Sequence, residues 1–211
     1  MTSSYPTTNA AQELPAVNTI LASVGQAPVT TLDQTNPDVA IAYNTLLQVS
    51  REVQAEGWTF NKEYHVEFKP DSNNEILIAN NVLQIKLSEN ASNRPFHADR
   101  RSGKLYDTQN HTYSWKDFAG SNIYCDIVWL FDWIDLPRPI QDFITARAAV
   151  LVSSRVIGDT SQYQMLQQQE AYTRSLAMEY DTNQGQYTFF GHPQGQQNYY
   201  QSYQPFQALS R

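Results

Sequence analysis

The sequence predicts an α+β fold: a four-helix bundle drawn from the two chain ends, with an antiparallel β region inserted between the second and third helices and a flexible C-terminal tail. Three observations carry this reading. Apolar residues recur at helical spacing near both ends, at Leu14, Val17, Ile20, Leu21 and Val24 and again at Ile140, Phe143, Ile144, Ala148, Leu151 and Val152. Between them, residues 58–136 alternate at period two and are punctuated by Pro, Asn and Asp. From Gly185 to Arg211 the chain is rich in Gln, Tyr, Gly and Asn and shows no period, so it cannot bury enough to fold alone. The expected segments are therefore 1–57 and 138–184 for the helical domain, 58–137 for the β insertion and 185–211 for a docking tail.

Residues 1–9 are polar and read as a flexible arm. The first helix begins near Leu14, and Gly25 supplies the left-handed residue that ends it. Pro28 cannot extend a helix, so Val29–Leu32 reads as an extended connector. Asn36 is a good N-cap for the second helix, Pro37 sits where a missing N–H costs nothing, and Asp38 favours the positive end of the dipole. Its buried stripe is Ala42, Leu46, Val49 and Val53, and Gly57 stops it. Trp58 and Phe60 then alternate as in a strand entry.

Tyr64, Val66 and Phe68 alternate with His65, Glu67 and Lys69, a half-exposed strand closed by Pro70-Asp71. Ser72–Asn74 turns into Glu75–Ile78, and Asn80-Asn81 turns into a strand at Val82–Leu87. Asn90–Lys104 is polar and basic and reads as a long loop. Leu105-Tyr106 and Thr112–Trp115 resemble a hairpin around residues 108–111, and Ile123–Trp133, apolar almost throughout, predicts a central strand. Leu136-Pro137-Arg138-Pro139 marks the return to helix. The third helix runs from about Pro139 to Ile157 and ends at Gly158. The fourth runs from about Ser161 to Asn183, with capping-box spacing between Ser161 and Gln164. Its apolar marks, Met165, Tyr172, Leu176 and Tyr180, are too sparse for an ordinary core face and suit a wet or intersubunit surface.

Composition excludes several classes. The chain has 211 residues, 41% hydrophobic and 17% charged, enough for a core of its own. A net charge of −7 argues against gripping nucleic acid through the overall field. The mean hydropathy of −0.54 owes much to the polar last quarter. Cys125 is the sole cysteine, which rules out an intrachain disulfide and a thiolate cluster, and its apolar strand makes it an inert buried thiol. Residues 1–8 lack the basic and apolar regions of a signal peptide, and no apolar run approaches membrane length, so a soluble product made inside the cell is expected. The eight glycines form no phosphate-binding loop. The four histidines, His65, His97, His111 and His192, lack metal-ligand spacing, and no metal or cofactor is expected.

Two charge clusters remain. Asp126, Asp132 and Asp135 lie on and after an aromatic strand with Trp129 and Trp133. Carboxylates beside aromatics can act as acid and base on sugars when they stand about 5–5.5 Å or about 6.5–9.5 Å apart, although a structural strand with polar ends explains the same residues. Arg94, Arg100, Arg101 and Lys104 form the basic cluster, read either as a solvated loop or as a loop facing DNA.

Several blocks in order carry a family resemblance: Ala16-Val17-Asn18-Thr19-Ile20-Leu21-Ala22-Ser23-Val24-Gly25, Pro28-Val29-Thr30-Thr31-Leu32 and Gly57-Trp58-Thr59-Phe60-Asn61. Gly103-Lys104-Leu105-Tyr106-Asp107, Asn110-His111-Thr112-Tyr113, Asp126-Ile127-Val128 through Leu136-Pro137, and Ile144-Thr145-Ala146-Arg147-Ala148 continue it. Over roughly residues 10–190 the chain resembles the tail tubular protein A family of short-tailed, podovirus-type bacteriophages. The resemblance implies an α-bundle with a β insertion in a non-enzymatic virion protein. It would form a dodecameric adaptor, or gatekeeper, ring between portal and tail nozzle, assembled in the bacterial host cytoplasm, with tail fibres as a further candidate partner. Such a ring seals the capsid and lines part of the path of DNA ejection, where Arg94, Arg100, Arg101 and Lys104 are the candidates to face DNA. Candidate interface residues are Tyr172, Tyr180, Phe189, Phe190, Tyr199, Tyr200 and Phe206. The alternative from another class is a carbohydrate-active tail component using Asp126, Asp132 and Asp135.

Overall fold

A computed structural model describes residues 10–88, 97–116 and 122–185. The expected arm (1–9) and tail (186–211), with Phe189, Phe190, Tyr199, Tyr200 and Phe206, lie outside the described residues, as does Arg94. The chain divides into two compact units: residues up to Asn61 with Trp129–Asp181, which are helical, and Lys62–Val128, which carry the strands and with which residues 182–185 are grouped. The fold is mixed α+β, with four helices drawn from the two ends of the chain.

In the helical unit, α1 spans Ala10–Ser23, α2 Pro37–Gln54, α3 Arg138–Val156 and α4 Thr160–Gly185. Helix α1 starts before its apolar stripe and carries Pro15 within it. Val17, Ile20 and Leu21 are buried. Its end is a Schellman motif: Gly25, at φ +74°, donates to Ala22 O and Gln26 donates to Leu21 O. The connector is then held by one side chain. The Asn18 amide donates to Val29 O at 3.0 Å and accepts from Val29 N at 2.8 Å, acting as a strand neighbour would.

Helix α2 starts as its sequence dictates. Asn36 is extended and its Oδ1 accepts from Asp38 N at 3.0 Å, while Pro37 opens the first turn. Ala42, Leu46, Val49 and Val53 are each at most 1% exposed. Gly57 lies beyond the helix end at φ +78°, a conformation that a side chain would strain. Trp58–Asn61 is not the expected strand entry but a turn. Asn61 makes it so: its Oδ1 accepts from Trp58 N, and its Nδ2 donates to Gln54 O and to Trp129 O, each at 2.8 Å. Trp58 is buried through the same turn, with Nε1 donating to Val53 O at 2.7 Å.

Helix α3 follows Pro137 and buries Ile140, Phe143, Ile144, Ala148 and Val152, with Leu151 half-buried. It packs against both α1 and α2, and Phe143 meets Trp58 edge-on at 6.3 Å. Helix α4 is capped by Asp159, whose Oδ1 accepts from Ser161 N at 3.0 Å, rather than by the expected Ser161–Gln164 box.

In the strand unit, β1 (Lys62–Phe68), β2 (Val82–Leu87) and β5 (Ile123–Trp129) form a sheet of order β1-β5-β2. The expected central strand is β5, but it ends at Trp129, and Trp133–Asp135 is a short 3-10 turn of the helical unit. Strands β1 and β5 are antiparallel with a bulge between Glu63 and Val66. At the bulge His65 takes φ +61°, its backbone N–H donates to Asp126 Oδ1 at 3.0 Å, and its ring stacks on Tyr124 at 4.1 Å. Cys125 is fully buried in β5, and burial pushes its thiol up to about 12, so it is inert at neutral pH.

The expected loop at 90–104 is partly a hairpin. Strands β3 (Ala98–Arg101) and β4 (Lys104–Asp107) pair antiparallel through Ser102-Gly103, both with positive φ, the conformation of a tight two-residue turn. Strand β4 therefore pairs mainly with β3, and the expected pairing of Leu105-Tyr106 with Thr112–Trp115 shrinks to a bridge at Asp107–Thr112. Glu75–Ile78 is not a full strand. It joins β4 through the Leu77–Lys104 bridge, burying Ile76 and Ile78 and leaving Leu77 out.

Candidate functional site

Two surfaces carry candidate residues, one in each unit. In the strand unit, the β3–β4 register pairs Arg100 with Leu105 and Arg101 with Lys104. Alternation then puts Asp99, Arg101, Lys104 and Tyr106 on one face and Arg100 with Leu105 on the other. Leu105 is fully buried and sits under Trp115, whose Nε1 donates to Leu105 O at 3.0 Å.

The expected basic loop is thus a rigid basic hairpin, and its cations are used differently. Lys104 Nζ lies 2.6 Å from Glu75 Oε2, both side chains being only partly exposed. Arg100 donates through Nη1 to Val82 O at 2.9 Å and through Nη2 to Asn80 Oδ1 at 3.2 Å, tying β3 to the start of β2. Arg101 is exposed and lies over the Tyr106 ring at 4.3 Å, and Tyr106 meets Tyr113 edge-on at 4.8 Å. Counting Asp99 and Glu75 against the three cations leaves the hairpin with little excess positive charge.

In the helical unit, α4 presents the second surface. Met165 is 70% exposed and Tyr172 64%, and the exposed Leu176 continues the same stripe at spacings of seven and four. Tyr180 is half-buried. Scattered contacts hold α4. Gln162 donates to Ser23 O, and Arg174 reaches the Glu56 carboxylate at 3.1 Å while lying over the Phe143 ring. Asp181 Oδ1 accepts from Thr59 N and Oγ1 at 2.7 and 2.6 Å.

The acidic trio is divided between the two units. Asp126 Oδ1 serves the bulge at His65, while Asp132 and Asp135 are exposed around the 3-10 turn of the helical unit. Among the described residues no His, Cys, Asp or Glu group could hold a metal ion.

Three amide side chains escaped sequence reasoning: Asn18, Asn61 and Gln54. Gln54 is fully buried, accepts from Phe131 N at 2.8 Å and donates to Phe131 O at 3.1 Å, replacing a missing strand neighbour. Asn18 and Asn61 lie in the blocks that carry the family resemblance, which was the available signal. Both sew an irregular segment to a helix.

Compared with known proteins, residues 14–187 match the family described as tail tubular protein. No curated protein matches the sequence.

Proposed function

The chain belongs to the tail tubular protein family, structural components of bacteriophage tails, and from that premise we propose that it forms the adaptor ring between portal and tail nozzle of a short-tailed phage. The ring is a homo-oligomer, dodecameric by the family resemblance, that closes the filled capsid, presents a docking surface to the nozzle and lines part of the DNA exit path. The observation that carries this reading is the exposed stripe of α4, Met165, Tyr172 and Leu176, on a helix with one buried residue. A lone subunit has no use for large apolar side chains there, and a repeated head-to-tail contact does. Tyr180 and the tail aromatics Phe189, Phe190, Tyr199, Tyr200 and Phe206 are the further interface candidates, and the β3–β4 hairpin that carries Arg100, Arg101 and Lys104 is the candidate to face the DNA path.

No observation favours the carbohydrate-active alternative, since Asp126 holds backbone and its companions are exposed around a turn. Reconstruction of the phage particle tests the proposal. The chain is expected as a ring between portal and nozzle, with α4 at the subunit boundary. Location in a fibre or at the tail tip would overturn it.

A further inference from the structure

We propose that Arg101, laid on Tyr106 and backed by Tyr113, is the one cation of the hairpin that contacts DNA, and that its ligand is the phosphodiester backbone of a duplex. The inference rests on the reading that this hairpin faces the DNA path and names the group that acts there.

The geometry separates three cations that the sequence cannot tell apart. The Lys104 ammonium is neutralised by Glu75 at 2.6 Å. The Arg100 fork is used on Val82 O and Asn80 Oδ1, and withdrawing it would leave a strand carbonyl without its donor. Arg101 carries its guanidinium carbon over the Tyr106 ring, 4.3 Å from the centroid, a contact that uses its charge and not its N–H donors. The ring takes none of the five N–H donors of the planar guanidinium, so they stay available to an acceptor. A phosphate accepts from them, in pairs and with assistance from charge. Tyr113, edge-on to Tyr106 at 4.8 Å, limits movement of the platform.

The same geometry argues against base stacking. Arg101 lies over Tyr106 and Tyr113 packs against the same ring in a T-shaped contact, so the ring is not an open shelf for an unpaired base. Asp99 shares the strand face with Arg101, and its Oδ1 accepts from Arg100 N at 2.7 Å. Its charge weakens the attraction of each subunit for phosphate. A ring that must let DNA slide needs contacts of this weak and repeated kind.

The test is the affinity of the full-length protein for a fluorescent duplex of arbitrary sequence across a salt series. Arg101→Gln should lower the slope of log affinity against log salt by about 0.9 for each subunit touching the duplex. Arg100→Gln and Lys104→Gln should leave the slope unchanged. Tyr106→Phe should behave as the parent, whereas Tyr106→Leu should weaken binding. Arg101→Lys, which keeps the charge and loses the flat fork, should hold the slope while lowering affinity, and it guards against a folding defect in Arg101→Gln. If the parent binds duplex and Arg101→Gln keeps its slope, or Arg100→Gln loses as much, this proposal falls while the DNA-path reading stands. If the parent shows no salt-dependent affinity for duplex, both fall. Tighter binding to a single strand, lost in Tyr106→Leu but kept in Arg101→Gln, would overturn backbone contact in favour of stacking.

Discussion

Helix α3 buries nine of its 19 residues, and α4, with 26, buries only Ala177. Both belong to the helical unit, yet they are held by different forces. Helix α3 is knitted to α1 and α2 by Ile140, Phe143, Ile144 and Val152, each contributing about 1.5–3 kcal/mol of apolar burial. Helix α4 is attached by the ion pair Arg174–Glu56, which contributes about 0–1 kcal/mol, and by part-buried hydrogen bonds at Gln162 and Asp181, which contribute about 0.5–3 kcal/mol each. The difference teaches that α4 is not there to complete a core. Its length and its exposed stripe make sense as a surface for assembly, carried by a unit that is stable without much help from it.

The largest expected effect lies on the inner side of that contrast. Phe143→Ala should cost about 3–5 kcal/mol, read as a lower denaturant midpoint at unchanged m-value. A loss below 1 kcal/mol would mean that the inner helices are no better packed than α4. Next comes Gln54→Leu, which keeps the bulk but strips partners from the Phe131 N–H and C=O; a loss of about 1–3 kcal/mol is expected in the same assay.

On the outer side, Arg174→Ala removes the link to Glu56 and the cover over Phe143. Global stability should fall by only about 0.2–1 kcal/mol. Hydrogen exchange along α4 should nevertheless quicken well before that of α3, and raising salt in the parent should have the same direction of effect. Equal protection of both helices would erase the contrast.

The smallest effect concerns Glu13, buried on α1, where burial raises its carboxyl pKa even though Tyr43 donates to it and pulls the other way. A carboxyl raised in the folded state favours its protonated form. Its contribution to stability is complete below the ordinary glutamate value near 4.5 and is lost as pH rises through the raised folded value. At pH 7 the charged Glu13 is therefore a burden. Glu13→Gln, which can still accept from Tyr43, should melt slightly higher at pH 7 and lose part of the pH dependence between pH 4 and 7. A lower melting temperature at pH 7 would reverse the sign.

What could be read from the sequence was whatever is decided locally. Asn36-Pro37, Gly25 and the apolar stripes act within a turn or two of themselves, so the four helices were visible, with the end of α1 and the start of α2, while the cap of α4 moved from Ser161 to Asp159. Trp58–Asn61 was misread because alternating aromatics look like a strand, while the deciding bonds run from Asn61 to Trp129, 68 residues away. Strand β3 was hidden because a charged, half-exposed strand has the composition of a loop, although Ser102-Gly103 announced its turn. The candidate site suffered most. Three cations close in sequence look alike, and what tells them apart is Glu75, 29 residues from Lys104, the Val82 carbonyl, 18 residues from Arg100, and the ring of Tyr106. The attachment of α4 was equally out of sight, since Arg174 and Gln162 find partners 118 and 139 residues away.

The central claim, that the outer stripe of α4 joins subunits, is tested most directly by sedimentation velocity of the full-length protein over a concentration series, beside the Met165→Glu/Tyr172→Glu double variant. Both side chains are well exposed in the subunit, so the variant should melt as the parent does. The parent should associate into larger species as concentration rises, and the variant should remain monomeric. A variant that associates as the parent does, or a parent that stays monomeric at every concentration, would contradict the account.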